Sequence, residues 1–276
     1  MTFLAALIAL IVERFLHWSQ LRNWKWYSRY QEFLNVRLDS VSPALIFFAC
    51  ILPPLIIAAL ITRLTANWGY HIPKLIWDIL ILLYCLGPAN LWVQIYTCIR
   101  VLNKEDTRAA IEEVKNTFQI NSIGQPQAFH QAFTRAIFNA ANQRIFAVLF
   151  WFSILGPIGA VLYRVTSLSK ANANVHVSEF AKQGQNILDW LPARLFTFVF
   201  ALGGNFNKVF YCWKKHAKQG LNSNEAILGD CGIAALDVTK GDTIPEDGSA
   251  ENEALTLLDR VLVIGLIVLG LIELII

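Results

Sequence analysis

Charged residues are scarce in this sequence of 276 residues. They make up 16% of the chain, whereas soluble domains average about 25%. Hydrophobic residues make up 55%, and the mean hydropathy is +0.46. This balance excludes an ordinary soluble domain and favours a multi-pass membrane protein, with the lipid bilayer as its first partner. The net charge of +3 is small, so no nucleic-acid partner is expected.

The common signatures of catalysis are also absent. The sequence has no P-loop, dinucleotide-binding, metalloprotease or serine-hydrolase motif. Its five cysteines form no CxxC pair and no Cys/His grouping with zinc spacing, so we predict buried free thiols and no metal site. The first apolar segment lacks a basic n-region and a small-residue cleavage site, and it carries Glu13. It therefore predicts a retained helix rather than a signal peptide.

Long apolar runs predict five membrane-embedded helices, at 2–18, 42–64, 76–99, 145–165 and 254–276. Pro53-Pro54, Gly87-Pro88 and Gly156-Pro157 break three of them. A sixth, weaker segment at 192–206 is short enough to be re-entrant or interfacial. The predicted fold class is therefore all-α: a polytopic helical membrane protein with five or six membrane-embedded helices, broken by Pro and Gly, plus cytoplasmic amphipathic helices.

Lys and Arg residues predict which parts face the cytoplasm. Residues 14–37 carry five of them and residues 100–144 carry six, so the positive-inside rule places both stretches in the cytoplasm. We predict a single membrane domain at 1–276 that contains a cytoplasmic helical segment at 103–144. It also contains an extramembrane and re-entrant segment at 166–253, the last part of which, 237–253, is an acidic flexible linker.

The stretch LDWLPARL carries an unusual polar group for such an apolar chain. Asp189 can cap a helix whose first turn contains Pro192. Arg194 then either reaches the lipid headgroups or helps bind a phosphate or carboxylate at the helix N-terminus. The residues alone leave both readings open.

Two further polar groups accompany apolar segments. Asn139 and Asn142 fall on one helix face. They form either a polar helix end or a hydrogen-bonding wall of a cleft. Gly156-Pro157 is followed by Arg164. This segment is either a kink that serves packing or part of a ligand site.

Two segments resemble a known family. FWFSILGPIGAVLYRV at 150–165 and LDWLPARLFTFVFAL at 188–202 resemble the membrane proteins of the CobD/CbiB group. Those proteins make adenosylcobinamide phosphate by attaching an aminopropanol arm to a corrinoid. The N-terminal pattern, LIVERF followed by a Trp- and Arg-rich segment, looks closer to their divergent relative AmpE. AmpE is an inner-membrane protein of Gram-negative bacteria, described as a signalling modulator of β-lactamase induction.

The departures from the cobalamin enzymes concern acidic residues. Their acidic cluster before the fourth span reads FNAANQRIF here, without a carboxylate. The segment after that span reads VTSLSKANA and lacks its Asp, and a Pro-Glu-Ala motif is reduced to Asn224-Glu225-Ala226. ATP-dependent amide formation needs acids to manage phosphate charge, so their loss argues against the parent reaction.

The resemblance leads to a first hypothesis: a regulator of the AmpE type in the bacterial inner membrane, without a catalytic residue, in cell-wall and β-lactamase signalling. It would bind a small ligand or a protein partner at a membrane-surface cleft formed by Asn139, Asn142, Arg164, Asp189, Arg194 and Glu225. The alternative is an ATP-dependent ligase of the CobD/CbiB type, and a transporter ranks last. ATP, Mg²⁺ and a homo-oligomer enter these expectations through the family alone.

Overall fold

The structure of the protein is a computed structural model, and it describes residues 2–15, 23–38, 41–66, 72–87, 90–102, 107–118, 120, 126–216, 220–237, 244–245 and 247–275. Every regular element in these ranges is helical, which confirms the all-α prediction. The α-helices are α1 (Thr2–Phe15), α2 (Lys25–Arg37), α3 (Pro43–Ala66), α4 (Ile72–Cys85), α5 (Leu91–Leu102), α6 (Thr107–Phe118), α7 (Pro126–Ala141), α8 (Ala147–Leu155), α9 (Pro157–Ser169), α10 (Val175–Gly203), α11 (Phe206–His216), α12 (Asn224–Ala235) and α13 (Ser249–Ile275). A π-helical segment (Asn142–Phe146) joins α7 to α8, and a 3₁₀ turn (Leu221–Ser223) precedes α12.

The helices belong to two compact units that alternate along the chain. Unit 1 comprises Met1–Ala89, Ala147–Asp189 and Leu269–Ile276, and unit 2 comprises Asn90–Phe146 and Trp190–Val268.

In unit 1, α3 and α4 pack against α9, and α1 packs against α4. Polar bonds fasten α2 to the end of α9. Tyr27 shares a hydrogen bond of 2.8 Å with the Ser169 hydroxyl, and the Gln31 amide donates to the same oxygen at 3.0 Å. Burial raises the pKa of Tyr27, so its phenol stays protonated at neutral pH.

Helices α8 and α9 fold back on each other as a hairpin. The reversal occurs at Gly156, whose φ of 64° and ψ of −149° are open to glycine. A Cβ atom on Gly159 would lie 2.1 Å from the carbonyl oxygen of Trp151, so the two helices touch there through backbone. Helix α8 continues directly from the π-helical segment Asn142–Phe146, and Gly156 then reverses the chain. The break predicted at Gly156-Pro157 is thus a reversal, and a single straight span over 145–165 is not confirmed.

The sequence around Asp189 lies in the middle of a long helix. Helix α10 begins at Val175, after Asn174, whose side-chain oxygen accepts the N–H groups of His176 and Val177 at 3.1 and 3.3 Å. Asn174 is thus the N-cap. The predicted capping role of Asp189 is wrong, because the residues before it are already helical.

Pro192 therefore lies inside α10 rather than in its first turn. Proline has no N–H, and in a helix the missing donor would have bonded the carbonyl of Leu188, four residues earlier. In unit 1, the indole N–H of Trp151 on α8 donates to the Leu188 carbonyl at 3.0 Å. This bond joins the two segments that carry the family resemblance, and it satisfies a carbonyl that the proline leaves unused.

In unit 2, α7 packs against α12. A Cβ on Gly232 of α12 would lie 2.3 Å from the ring of Phe138, so only glycine allows this approach. Helix α11 packs against α12 as well, and Cys212 and Cys231 meet there with their sulfur atoms 3.0 Å apart. All five cysteines are free, as predicted.

Within the described ranges, two helical stretches are long and apolar enough to cross a membrane, Pro43–Ala66 and Ser249–Leu271. Only 28% of each apolar window is buried, so most of its side chains are at least partly exposed. Five or six spans are thus not confirmed. The predicted span 76–99 is divided, because α4 ends at Cys85 and α5 begins at Leu91. Of the first predicted span, residues 16–18 lie outside the described residues.

Helices α6 and α7 lie within the predicted cytoplasmic helical segment 103–144. The cytoplasmic placement of this segment stays a prediction. Residues 103–106, 119 and 121–125 of the predicted cytoplasmic segment lie outside the described residues. The same holds for 238–243 and 246 of the predicted linker, and its last five residues belong to α13.

Candidate functional site

The carboxylate of Asp189 is the centre of a buried polar cluster in unit 1. The Tyr163 hydroxyl on α9 donates to its Oδ1 at 2.6 Å, and the Gln185 amide donates to its Oδ2 at 3.1 Å. Tyr163, Gln185 and Asp189 are 0%, 2% and 5% exposed. Gln185 and Asp189 share one face of α10 because they are four residues apart. The carboxylate is thus held in one orientation by donors from two helices.

Gln185 contributes a second acceptor to this cluster. Its side-chain oxygen is buried and has no hydrogen-bond partner among the described residues. Native structures leave few buried polar atoms unsatisfied, and such an atom costs about 1–3 kcal/mol. An N–H or O–H of a bound molecule would satisfy it. The Gln185 oxygen and the Asp189 carboxylate together suit an amine.

Arg164, the next residue after Tyr163, is also in unit 1 and is 5% exposed. Its Nε has no hydrogen-bond partner in the described part of the chain. The guanidinium interacts electrostatically with the side chains of Cys85, Tyr163 and Tyr84, none of which carries a carboxylate. Arginine cannot shed its charge in proteins. Arg164 is therefore a buried cation without a carboxylate partner in the described ranges.

In unit 2, Arg194 is turned into the protein. Its guanidinium donates to the side-chain oxygen of Asn224 at 3.1 Å and to the Trp190 carbonyl at 3.0 Å. It also lies 4.4 Å from the centroid of the Trp190 ring, a cation–π contact. Both Arg194 and Asn224 are more than nine-tenths buried. Arg194 thus does not reach outward to headgroups, and it is positioned by α12.

The other predicted residues of unit 2 lie on α7, the π-helical segment and α12. Asn142 is buried in the π-helical segment, a type of irregularity found often at functional sites. Asn139 is half-buried, and its side-chain oxygen has no partner among the described residues. Glu225 is exposed, beside the Asn224 that bonds Arg194.

The six predicted site residues therefore fall into two groups. Arg164 and Asp189 belong to unit 1, and Asn139, Asn142, Arg194 and Glu225 belong to unit 2. Their ligand-binding roles stay predictions. Three further residues join these groups through hydrogen bonds: Tyr163, Gln185 and Asn224. Of these bonds, sequence spacing predicts only the one between Gln185 and Asp189, which are four residues apart.

Sequence reasoning missed two ionic groups in unit 2, one buried and one partly exposed. Nδ1 of His130 on α7 lies 2.8 Å from a carboxylate oxygen of Glu251, and the Glu251 side chain is fully buried. Asp230 on α12 contacts Arg135 at 2.6 Å and His216 at 3.1 Å. The partners are far apart in sequence. The apolar residues after Glu251 have helical spacing, and this is the signal in the sequence that favours a helix there. The composition of the stretch around Glu251 indicates a linker instead.

No three His, Cys, Asp or Glu side chains in the described ranges come close enough to hold a metal ion. Mg²⁺ needs several oxygen ligands, which proteins commonly supply as one or two carboxylates beside substrate phosphates. The described residues therefore do not build a metal centre of their own.

Comparison with known proteins shows the family. The model of the CobD/Cbib protein family matches residues 4–239, and the chain belongs to this family. It is 26% identical over 179 residues to the cobalamin biosynthesis protein CobD of Chromobacterium violaceum, covering 61% of this chain and 56% of the relative. The CobD of Stutzerimonas stutzeri is 26% identical over 175 residues, covering 59% and 56%. The chain thus spans about half the length of the curated relatives that it matches. No solved structure matches it.

These matches correct the first hypothesis. A signalling regulator of β-lactamase induction is wrong as the main interpretation, because both relatives are named as cobalamin biosynthesis proteins and neither match points to AmpE. The alternative, a CobD/CbiB-type enzyme, fits the matches better. The hypothesis failed because it gave decisive weight to acids missing from short motifs, whereas the carboxylate of Asp189 is present and buried.

Proposed function

We propose that this chain is a membrane-bound synthase of cobalamin biosynthesis that joins an amine to a carboxyl group of a corrinoid. This is the reaction that the CobD/CbiB resemblance implies. The observation that carries the proposal, beyond the family match, is the buried bond between Tyr163 and Asp189. It brings together the two segments in which the resemblance is most specific.

Amide formation requires an uncharged amine and a carboxyl group activated by ATP. As the C–N bond forms, the amine loses a proton, and the C–O bond to the phosphate leaving group breaks. Asp189 in unit 1 can accept that proton, with Tyr163 fixing the orientation of its carboxylate. The unsatisfied oxygen of Gln185 would accept a second N–H of the same amine. The low exposure of all three residues keeps water away from the nucleophile.

In unit 2, Arg194 supplies a positive charge that Asn224 holds in place. A guanidinium suits the phosphate or carboxylate groups that an amide-forming reaction handles. Asn139 and Asn142 would add hydrogen bonds from the end of α7, and Glu225 an exposed carboxylate.

ATP and Mg²⁺ belong to the proposal through the family resemblance. The described residues build no metal centre, so the roles assigned to Asp189, Gln185 and Arg194 involve no metal-bound step. We place the chain in the bacterial inner membrane as a multi-pass protein, with α3 and α13 as its clearest spans and the lipid bilayer as a partner. Further membrane-embedded helices and self-association are part of this proposal.

The experiment is a direct assay of amide formation. Membranes containing the chain would receive an adenosylated corrinoid acid, aminopropanol or its phosphate, ATP and Mg²⁺, with product detected by mass spectrometry. We expect wild-type protein to form the amide and Asp189→Asn to form it on the order of 100-fold more slowly. Asp237→Asn, which alters an exposed carboxylate, should match the wild type. An Asp189→Asn variant that melts like the wild type and keeps full activity would contradict the proposed role of Asp189. Absence of product from wild-type membranes, with a CobD relative active in parallel, would contradict the function.

A further inference from the structure

Three buried side-chain N–H donors in unit 1 have no acceptor among the described residues: the Asn172 amide, Nε of Arg164 and the indole N–H of Trp24. Arg164 is 5% exposed and Trp24 is 8% exposed, and both lie near Tyr84. They come from different helices, since Trp24 immediately precedes α2 and Arg164 lies on α9. The mechanism proposed above uses neither.

Tyr84 at the end of α4 relates the last two of these donors: it contacts Trp24 directly and interacts electrostatically with Arg164. The rings of Trp24 and Tyr84 lie 4.4 Å apart between centroids. The guanidinium of Arg164 is close enough to the Tyr84 phenol for the two groups to interact electrostatically. The phenol oxygen itself is engaged, because it accepts the indole N–H of Trp26 at 2.7 Å and donates to the Asn23 carbonyl at 3.4 Å.

The buried, unpaired guanidinium of Arg164 destabilises the fold unless a bound group compensates its charge. Buried charges in proteins are paired, and an uncompensated one is strongly destabilising. No carboxylate in the described ranges pairs with Arg164. A neutral acceptor would satisfy the two N–H groups but would leave the charge of the guanidinium uncompensated. An oxyanion does both, and arginine binds phosphate and carboxylate oxygens through two parallel hydrogen bonds.

We propose that unit 1 contains an oxyanion-binding site in which Arg164 and Trp24 donate to a phosphate or carboxylate group beside Tyr84. The oxyanion belongs either to a soluble molecule or to an anionic lipid headgroup, since both offer the same oxygens. The site does not depend on the proposed synthase function. It lies within unit 1 and uses residues to which the amide-forming reaction gives no role.

The test is thermal unfolding of the purified chain in a neutral detergent. One arm adds inorganic phosphate, with chloride at equal ionic strength as its reference. The other adds phosphatidylglycerol to the micelles, with an equal amount of phosphatidylcholine as its reference. We expect at least one anion to raise the Tm of the wild type by on the order of 5 °C at saturation. A response to phosphate indicates a soluble group, and a response to phosphatidylglycerol alone indicates a lipid headgroup.

Four variants make the test specific. Arg164→Gln should abolish the shift, and Trp24→Phe, which keeps an aromatic ring but removes the N–H, should reduce it. Arg37→Gln on α2 is the matched control for an exposed arginine, and Trp213→Phe is the control for an indole in unit 2 that also lacks a partner. Both controls should keep the full shift.

Without added anion, Arg164→Gln should melt no lower than the wild type, because it removes an uncompensated buried charge. If Arg164→Gln does not fold, the comparison of Trp24→Phe with Trp213→Phe decides. The proposal fails if neither anion shifts the wild type, or if Arg164→Gln or Trp24→Phe keeps the full shift. Failure of the amide assay alone leaves this site intact, so the two proposals are tested separately.

Discussion

The hydroxyl of Tyr163 donates to the carboxylate of Asp189 at 2.6 Å, across 26 residues of sequence and between two helices. Both side chains are buried. Hydrogen bonds to charged groups contribute more than neutral ones, roughly 1.5–3 kcal/mol each. This bond therefore fixes how α9 meets α10 within unit 1, and it also fixes the orientation of the carboxylate to which we assign chemistry.

Tyr163→Phe should lower the free energy of unfolding by about 1.5–3 kcal/mol, since the ring stays while the donor is lost. For a chain of this size we expect the Tm to fall by roughly 2–4 °C per kcal/mol. Tyr211→Phe removes the hydroxyl of a side chain that is 76% exposed, and it should leave the Tm unchanged. Equal effects of the two substitutions would show that the Asp189 bond contributes nothing.

Trp151 and Pro192 should be energetically coupled. Trp151→Phe leaves the Leu188 carbonyl without a donor, which should cost about 1–3 kcal/mol. Pro192→Ala restores an N–H that the helix can offer to that carbonyl. The cost of Trp151→Phe should then be smaller in the Pro192→Ala background than in the wild type. A double-mutant cycle of melting curves measures the difference, and strict additivity would argue against this explanation of Trp151.

Gly159→Ala should destabilise the α8–α9 hairpin severely, by about 3 kcal/mol or more, since the added Cβ would meet backbone that cannot move aside. Gly265→Ala is the matched control, because nothing lies within 4 Å of the Cβ that it adds. In α13 it should be neutral or stabilising by up to about 1 kcal/mol. Thermal unfolding in detergent separates the two, and a mild effect at Gly159 would mean that the hairpin opens at little cost.

His130→Leu should leave Glu251 buried without its histidine partner. Breaking a buried pair in this way costs about 3–5 kcal/mol. His176→Leu is the control, because the side chain of His176 is 75% exposed. We expect a large fall in Tm for the first variant and none for the second. If Glu251→Gln in the His130→Leu background does not recover part of the lost Tm, the buried carboxylate of Glu251 is not the cause of the destabilisation.

The sequence was sufficient for some features of the fold and not for others. Its hydropathy and helical periodicity predict the all-α class and helix α3, which coincides with a long apolar run. They fail at Gly156, where the same Gly-Pro pair is compatible with a kink and with a full reversal. Only the close approach of α9 to Trp151, a contact across the hairpin, distinguishes the two.

The candidate site shows the same division. Asp189 and Arg164 attract notice because charges are rare in apolar segments. The partners that give Asp189 its environment, Tyr163 and Gln185, are ordinary residues of helical stretches. Local chemistry also misled at Asp189, because Asp followed by Pro is typical of a helix start, and here the helix begins at Val175. Asn174 gives an equally good cap signal with no proline to draw attention to it.

The alternation of the two units along the chain has a consequence for how the protein can be made and dissected. Unit 1 is assembled from three separate stretches and unit 2 from two. No single cut therefore yields either unit intact. During synthesis, unit 1 is begun first and receives its last stretch, Leu269–Ile276, only after unit 2 has been translated. Glu273 then accepts a hydrogen bond from the Phe3 backbone N–H at 2.6 Å, so α1 gains this partner only after α13 has been translated.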